Sequence, residues 1–500
     1  MNRIVVQLGS SVAPNGDPFL SISLEEPSVF GSQTLPFLCS AADAEFAALR
    51  AAELASDSIK VAGGKLFKAL ADHPDIAGYL TAALQTGAGG RYPVFVEIAT
   101  PAGAEALPWE ALCTPTGEYL GLDERWAVAR IVDPHVAGAP FYTLTPPLRV
   151  AAVLSCLGIP AAGELAALRE AVRRAGPEHV ELLVVASEEQ LIVDLRAEMD
   201  AGTAPEVAAA ELVPPDLEQL QQLVTAFGPH VLHLFCHGSL KGSPHIALAR
   251  KSDWTAAAPT SGILAEARDF HGFTGKTDDL PWLVVLNCCE GAGVAAEPDS
   301  QSLALALAIE GIAPAVVGMR EPVVSDTANV LTKTLYSKLF SDLAARIGAA
   351  GRAPQPLDWP CTVVAARDRL ARVHDGVVLS EAAASTKEWT LPVMYVRPDE
   401  FRLQVVPVPE PAPPPVLPAP MPPVPPAPGG GDAAPPLVGD ESNATRATRL
   451  EIEALHTLLV SLPPDQAPEL KAEADNRIAE LTATLRVDLP PSDAVAAVTP

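Results

Sequence analysis

The sequence predicts an α/β protein: a mainly parallel sheet sandwiched by helices, preceded by a smaller α/β subdomain and followed by a C-terminal helical hairpin. Three observations point there. Between residues 147 and 400, short runs rich in Val, Leu and Ile alternate with helical stretches. Strands covered by helices on both faces read as such continuous apolar runs. Residues 1–146 repeat the mixture on a smaller scale, and a proline tract then cuts off the tail.

In the first unit IVVQL, FLSISL, YPVFVEIA and WAVARIV read as strands, with helices through DAEFAALRAAELA and IAGYLTAALQT. They suggest a second α/β layer packed on the larger one. The larger unit has strands LRVAAVLSC (148–156), VELLVVAS (180–187), HVLHLFC (230–236), WLVVLNCC (282–289) and PAVVGM (314–319). Helices through ELAALREAVRRA, LIVDLRAEM, DLEQLQQLVTAF, SLALALAIEG and TANVLTKTLYSKLF separate them, and EWTLPVMYV (388–396) adds a last strand. Trp109-Glu110 reads as a packed core turn.

Residues 401–440 form the expected linker, since 15 of the 30 residues from Pro407 to Pro436 are proline and Gly429–Gly431 interrupts them. Proline neither pairs within a sheet nor continues a helix, so the tract reads as an extended spacer with one flexible point. In residues 441–488, Leu450, Ile452, Leu455, Leu458, Leu459 and Leu462 fall at helical spacing, Pro463-Pro464 breaks the run, and Leu470, Ile478, Leu481 and Leu485 begin another. Two short helices bury too little surface to be stable alone. The hairpin is therefore expected to dock on the body, self-associate or bind an activating protein partner.

Sixty-one acidic against 34 basic residues leave a net charge of −27, which repels nucleic-acid backbones and anionic membranes. No uninterrupted apolar stretch reaches bilayer length. The seven cysteines are odd in number and lack the paired spacing of a zinc site or disulfide framework, which fits a reducing cytoplasm. His233 and His271 lack a second metal-ligand partner at workable spacing, and no cofactor is expected.

Two strand ends carry chemistry. HVLHLFC stops at His237-Gly238, and WLVVLNC stops at Cys288-Cys289-Glu290-Gly291. In sheets of this kind reactive groups gather at the C-terminal strand edge, so neighbouring strands would bring an imidazole and a thiol side by side. That pair suits amide hydrolysis, with the thiolate attacking and the imidazolium protonating the departing amine. Glycine after the histidine permits close backbone approach, and the N–H groups of Gly238 and Cys289 are the candidate oxyanion donors. Strand alternation turns Cys236 and Cys288 to the opposite face, making them structural. An adjacent Cys288-Cys289 disulfide would close a strained ring.

The pair FCHG…VVLNCCEG resembles the CHG…LSACETG signature of CHAT domains, relatives of caspases and separase, with Cys289 on the nucleophile position and His237 on the base. LPWEAL (107–112), WAVARIV and GIAPAVVGMREPVVSDTANVL resemble further segments of that family, so the likeness spans residues 1–398. The 52-residue separation of His237 and Cys289 matches the caspase pattern. The resemblance implies a caspase-like catalytic subdomain over 147–400, preceded by a pseudo-caspase-like subdomain over 1–146.

Three departures stand out. Asn287-Cys288 replaces the usual Ser-Ala before the nucleophile, Gly291-Ala292 replaces Thr-Gly after it, and Arg320-Glu321 stands near a common tryptophan. The first two are expected to preserve the turn, while the third falls where such folds build the primary specificity pocket. By resemblance, Asp326 and then Glu321 are the candidates for binding an Arg or Lys before the cleaved bond, although Ser325-Asp326 equally reads as a helix cap. The resulting expectation is a partner-activated cysteine endopeptidase of bacterial defence or regulated cell death. The alternatives are a silent scaffold recruiting partners through the hairpin, or another Cys-His acyl transfer on the same fold.

Overall fold

The structure is a computed structural model and describes residues 3–406, apart from segments at 28–31, 52–53, 56, 86–89, 99–102, 257–259, 275–280, 295–300, 349–352 and 373–382. The hairpin expected at 441–488 and most of the proline linker lie outside the described residues. By internal contacts the chain divides into Met1–Pro411 and Ala412–Pro500.

The strands are β1 (Ile4–Val12), β2 (Pro18–Glu26), β3 (Leu35–Pro36), β4 (Val94–Ile98), β5 (Val128–Ile131), β6 (Tyr142–Leu144), β7 (Leu148–Ser155), β8 (Val180–Ala186) and β9 (Val207–Leu212). They continue as β10 (Val231–Ser239), β11 (His245–Leu248), β12 (Ile263–Glu266), β13 (Leu283–Cys288), β14 (Ala315–Met319), β15 (Gln355–Pro356), β16 (Pro392–Val396) and β17 (Arg402–Val405). The helices are α1 (Ala44–Ala48), α2 (Ser58–Ala71), α3 (Pro74–Gln85), α4 (Ala162–Ala175), α5 (Glu189–Asp200), α6 (Leu217–Phe227), α7 (Lys251–Thr255), α8 (Leu303–Ile309), α9 (Ser325–Ile347) and α10 (Trp359–Ala371). Among the described residues, none is long and apolar enough to cross a membrane.

Among the described residues fourteen strands join in one sheet, with β3-β2-β1-β4-β5-β16-β14-β13-β10-β7-β8-β9 along its length, β11 branching from β10 and β12 pairing with β11. The N-terminal subdomain is therefore not a second layer stacked on the larger one. It extends the same sheet edge to edge. The link is β16, which pairs antiparallel with β14 and parallel with β5. All five of its residues, PVMYV, are buried, and pairing on both sides satisfies backbone groups that could not be left bare there.

Helices cover the larger half of the sheet on both faces. Leu165 and Leu168 of α4 and Leu335 and Leu339 of α9 pack on one face beside Val150 and Val285. Leu220 and Val224 of α6 and Leu303 and Leu307 of α8 pack on the other beside Leu232 and Val284. The alternation along each strand divides residues between the two faces. Helices α1 to α3 close the N-terminal half.

Helix α2 was not apparent from the sequence, because Gly63-Gly64 interrupts its pattern and glycine disfavours helix. The packing explains it: a Cβ at position 63 would lie 1.9 Å from the carbonyl oxygen of Ala111, so the helix seats a neighbouring turn there. Residues 402–405, expected at the start of the linker, form β17, which pairs with β6 and β15. Leu403 and Val405 are buried there.

At the seam between the two halves, Glu110 sits in the short 3-10 turn Trp109–Ala111, with no exposed surface. Arg130 of β5 grips its carboxylate with two hydrogen bonds, Nε to Oε1 at 3.1 Å and Nη2 to Oε2 at 3.0 Å. Burial works against both charges, but the paired guanidinium keeps Glu110 below the usual carboxylate range. Arg320 lies 3.7 Å away from the same carboxylate. Arg367 donates to the carbonyls of Pro392 and Val128 and has its pKa lowered to about 10 by burial and the other arginines. Removing this one anion strands several buried cations. Glu110→Gln is expected to cost about 3–5 kcal/mol of stability, read as a lowered urea midpoint.

Candidate active site

The site follows from strand register. Strand β10 lies between β7 and β13, parallel to both, with Cys236 opposite Ser155 on one side and Cys288 on the other. One residue further along, Cys156, His237 and Cys289 therefore form a row across three adjacent strand ends. Alternation puts that row on the face covered by α4 and α9, whereas Cys236 and Cys288 are buried on the opposite face.

Strand β10 does not stop at His237, as its apolar pattern suggested. It runs on to Ser239, and His237, Gly238 and Ser239 leave the main ladder to pair with Ala247, Ile246 and His245 of β11. This divergence opens the edge beside Cys289. A Cβ at position 238 would sit 1.9 Å from the carbonyl oxygen of Cys289, so only glycine lets the two strand ends meet.

His237 is held from one side. Its Nε2 lies 2.7 Å from the carbonyl oxygen of Leu157, and because a carbonyl only accepts, Nε2 carries the proton. Nδ1 is thereby left with the lone pair, the group that can take a proton from a thiol. Cys156 lies 3.7 Å from the same Nε2. Burial pushes its thiol up to about 12, so it stays protonated and adds bulk rather than a rival nucleophile.

Cys289 is the least buried of the seven cysteines. Its Sγ lies 3.9 Å from the carbonyl oxygen of Val323. Among the described residues no hydrogen bond joins it to His237. Burial raises its pKa, with Cys288 and Glu290 adding to the effect and the Val323 contact opposing it. The resting site thus pairs a neutral thiol with an imidazole already in its basic tautomer.

The strand beneath Cys289 is pinned by Asn287. Its Nδ2 donates to Glu164 Oε1 of α4 at 2.7 Å, and to Thr332 Oγ1 and the Ala328 carbonyl of α9 at 3.0 and 3.2 Å. His233 Nε2 approaches Glu164 Oε1 at 2.9 Å. Asn287 is therefore more than a small residue preserving a turn, because it ties the strand that leads to Cys289 to both covering helices. Glu290, next along, has φ +57, a left-handed conformation uncommon outside glycine that turns the chain sharply away from the sheet.

A cleft of about 300 Å³ opens beside the pair. Glu290, Arg320 and Glu321 line it together with Arg50 and Pro108 of the N-terminal half. Glu321 is where the sequence placed it, but its carboxylate is taken by Lys387 Nζ at 3.0 Å and faces Arg320 at 3.8 Å. Asp326 is exposed in the first turn of α9 and does not line the cleft, so a role there as the acidic specificity residue is not supported by its position. Sequence reasoning missed Cys156, the Leu157 carbonyl and Arg50. Cys156 ends the strand LRVAAVLSC, so the same strand-end argument would have found it. A carbonyl acceptor and an arginine from the distant half leave no motif.

The elevated Cys289 pKa has a measurable consequence. Because alkylation needs thiolate, iodoacetamide labelling of Cys289 in the resting protein is expected to keep rising with pH beyond 9, the ordinary thiol value. Site-resolved mass spectrometry reads the rate, and a plateau already reached at neutral pH would instead indicate a preformed thiolate–imidazolium pair.

No curated protein matches the sequence. Two crystal structures of the Saccharomyces cerevisiae separase–securin complex, at 2.6 and 3.0 Å resolution, match with TM-scores of 0.33 and 0.31 and sequence identities of 13% and 9%. Each match covers 68% of this chain but 17% of the other, so the chain spans under a fifth of the matched length. The CHAT domain model matches residues 60–355. That is more than half of the 500 residues, and the chain belongs to the CHAT domain family.

Proposed function

We propose that the protein is a CHAT-type cysteine endopeptidase in which Cys289 is the nucleophile and His237 the general base and acid. The observation that carries this reading is the placement of His237 and Cys289 next to each other at two paired strand ends, with His237 Nε2 committed to Leu157. The Cys289 proton passes to His237 Nδ1 as sulfur attacks the scissile carbonyl carbon. The N–H groups of Gly238 and Cys289 are the proposed donors to the oxyanion. The C–N bond then breaks, the leaving amine takes the proton from His237, and a thioester remains on Cys289. Water, deprotonated by His237, hydrolyses it and restores the thiol.

Activation by a partner is part of the proposal. In the resting state the thiol is neutral and no described hydrogen bond joins it to the imidazole, so a rearrangement must bring the two together before attack. Residues 441–488 are the proposed partner or self-association module, and a regulated cut in bacterial defence or cell death is the proposed setting. Cleavage after a basic residue is not carried forward, because Asp326 lies outside the cleft and Glu321 is already neutralised. The neutral resting thiol also favours a second reading, a silent caspase-like scaffold.

A peptide acyloxymethyl ketone separates the two on the full-length chain. It is expected to label Cys289 alone, Cys289→Ala is expected to abolish labelling, and His237→Ala is expected to slow it by about 100-fold or more. A labelling rate indifferent to His237 would establish the scaffold.

A further inference from the structure

Two arginines, Arg50 and Arg320, line the cleft beside Cys289 together with Glu290 and Glu321. Arg320 follows β14 directly, and its side chain is 9% exposed. Its Nη2 donates to Thr390 Oγ1 at 3.1 Å, while its buried Nη1 has no hydrogen-bond partner among the described residues. The nearest carboxylate to Nη1, Glu110 at 3.7 Å, is chelated by Arg130 through both its oxygens. A buried guanidinium N–H left without an acceptor is costly, and this one belongs to a residue lining an open cleft.

The surrounding charge has the same sign. Arg130 and Arg50 both act on Arg320 as repelling cations, and Arg367 lies within reach of the same field. Against them stand Glu110, shared among the arginines, and Glu321, which Lys387 also holds. Glu105 contributes less charge, since burial pushes its carboxyl upward towards the protonated form. Arg50 also lines the cleft, exposed, with no ion pair to it among the described residues. Glu290, which lines the cleft and is partly exposed next to Cys289, opposes them.

We infer that this cleft binds a carboxylate side chain, so that the peptidase selects Asp or Glu immediately before the cleaved bond. The carboxylate would sit against the cleft-lining Arg320 and Arg50, with Arg320 Nη1, which has no exposed surface at rest, turning from Glu110 to donate to it. This inference rests on the peptidase reading for its meaning as substrate specificity. Position supports it: the Val323 carbonyl, 3.9 Å from Cys289 Sγ, follows the cleft residues Glu321 and Pro322 by one residue. The cleft also takes in Glu290, the residue directly after Cys289.

The charge of the cleft is testable on the resting full-length chain, without an activator. Iodoacetate carries the same carboxymethyl group as an aspartate side chain, and iodoacetamide is its neutral counterpart. The ratio of their Cys289 labelling rates, normalised to a small free thiol, is expected to favour iodoacetate by about tenfold. It should fall towards unity in Arg320→Gln, be largely retained in Arg320→Lys, and fall part way in Arg50→Gln, whose exposed site does not threaten folding. A normalised ratio at or below one, no labelling by either reagent, or a ratio unchanged by Arg320→Gln and Arg50→Gln would overturn the inference. Acyloxymethyl ketones with Asp, Glu, Leu or Arg before the warhead then report on the peptidase reading separately. Iodoacetate selectivity at Cys289 with probe labelling indifferent to His237 would keep the carboxylate cleft and discard the enzyme. His237-dependent labelling that favours Arg would keep the enzyme and discard the carboxylate.

Discussion

Unbroken parallel register across β7, β10 and β13 is the constraint on which the candidate site rests. It sets Cys156, His237 and Cys289 side by side at one edge and one face. Side-chain direction in a strand alternates with every residue, so a slip of one position in β13 would bring Cys288 to the imidazole and bury Cys289. The register is in turn defended by packing on both faces, and by Asn287, which anchors β13 to α4 and α9. Gly238 completes the arrangement, because the Cys289 carbonyl occupies the space a side chain would need.

A second constraint lies at the seam where β16 joins the two halves of the sheet. Glu110 holds Arg130 of β5 and faces Arg320 at the end of β14. A buried carboxylate shared among arginines is expensive to assemble, and it gathers Arg130, Arg320 and Arg367 around one anion. Arg50 and Pro108 reach the cleft from the N-terminal half. That half therefore supplies part of the lining of the candidate site.

The resting chemistry leaves the two groups prepared but unjoined. Burial and Glu290 keep Cys289 as a thiol, while Leu157 holds His237 in the tautomer that accepts a proton. Each group is prepared, but no hydrogen bond among the described residues joins them. Glu290, at φ +57, marks the turn directly after Cys289 as a conformationally special point.

By itself the sequence determined the α/β class, the main strands of the larger unit, and the position of His237 and Cys289 at strand ends, because each is written in local alternation or in a motif at a strand end. It also put Cys288 and Cys289 on opposite faces through the same period of two. It did not reveal α2, where Gly63-Gly64 hides a helix that tertiary packing requires. The edge-to-edge joining of the two halves was likewise decided by β16, whose partners are distant in sequence. The character of the cleft lay furthest from view. Asp326 looked like a pocket acid by position in its motif, yet it is exposed in α9, and Arg320, Arg50 and Glu110 become neighbours only when distant segments fold together. Electrostatics of a site depend on through-space distance and burial, and neither quantity is encoded in spacing along the chain.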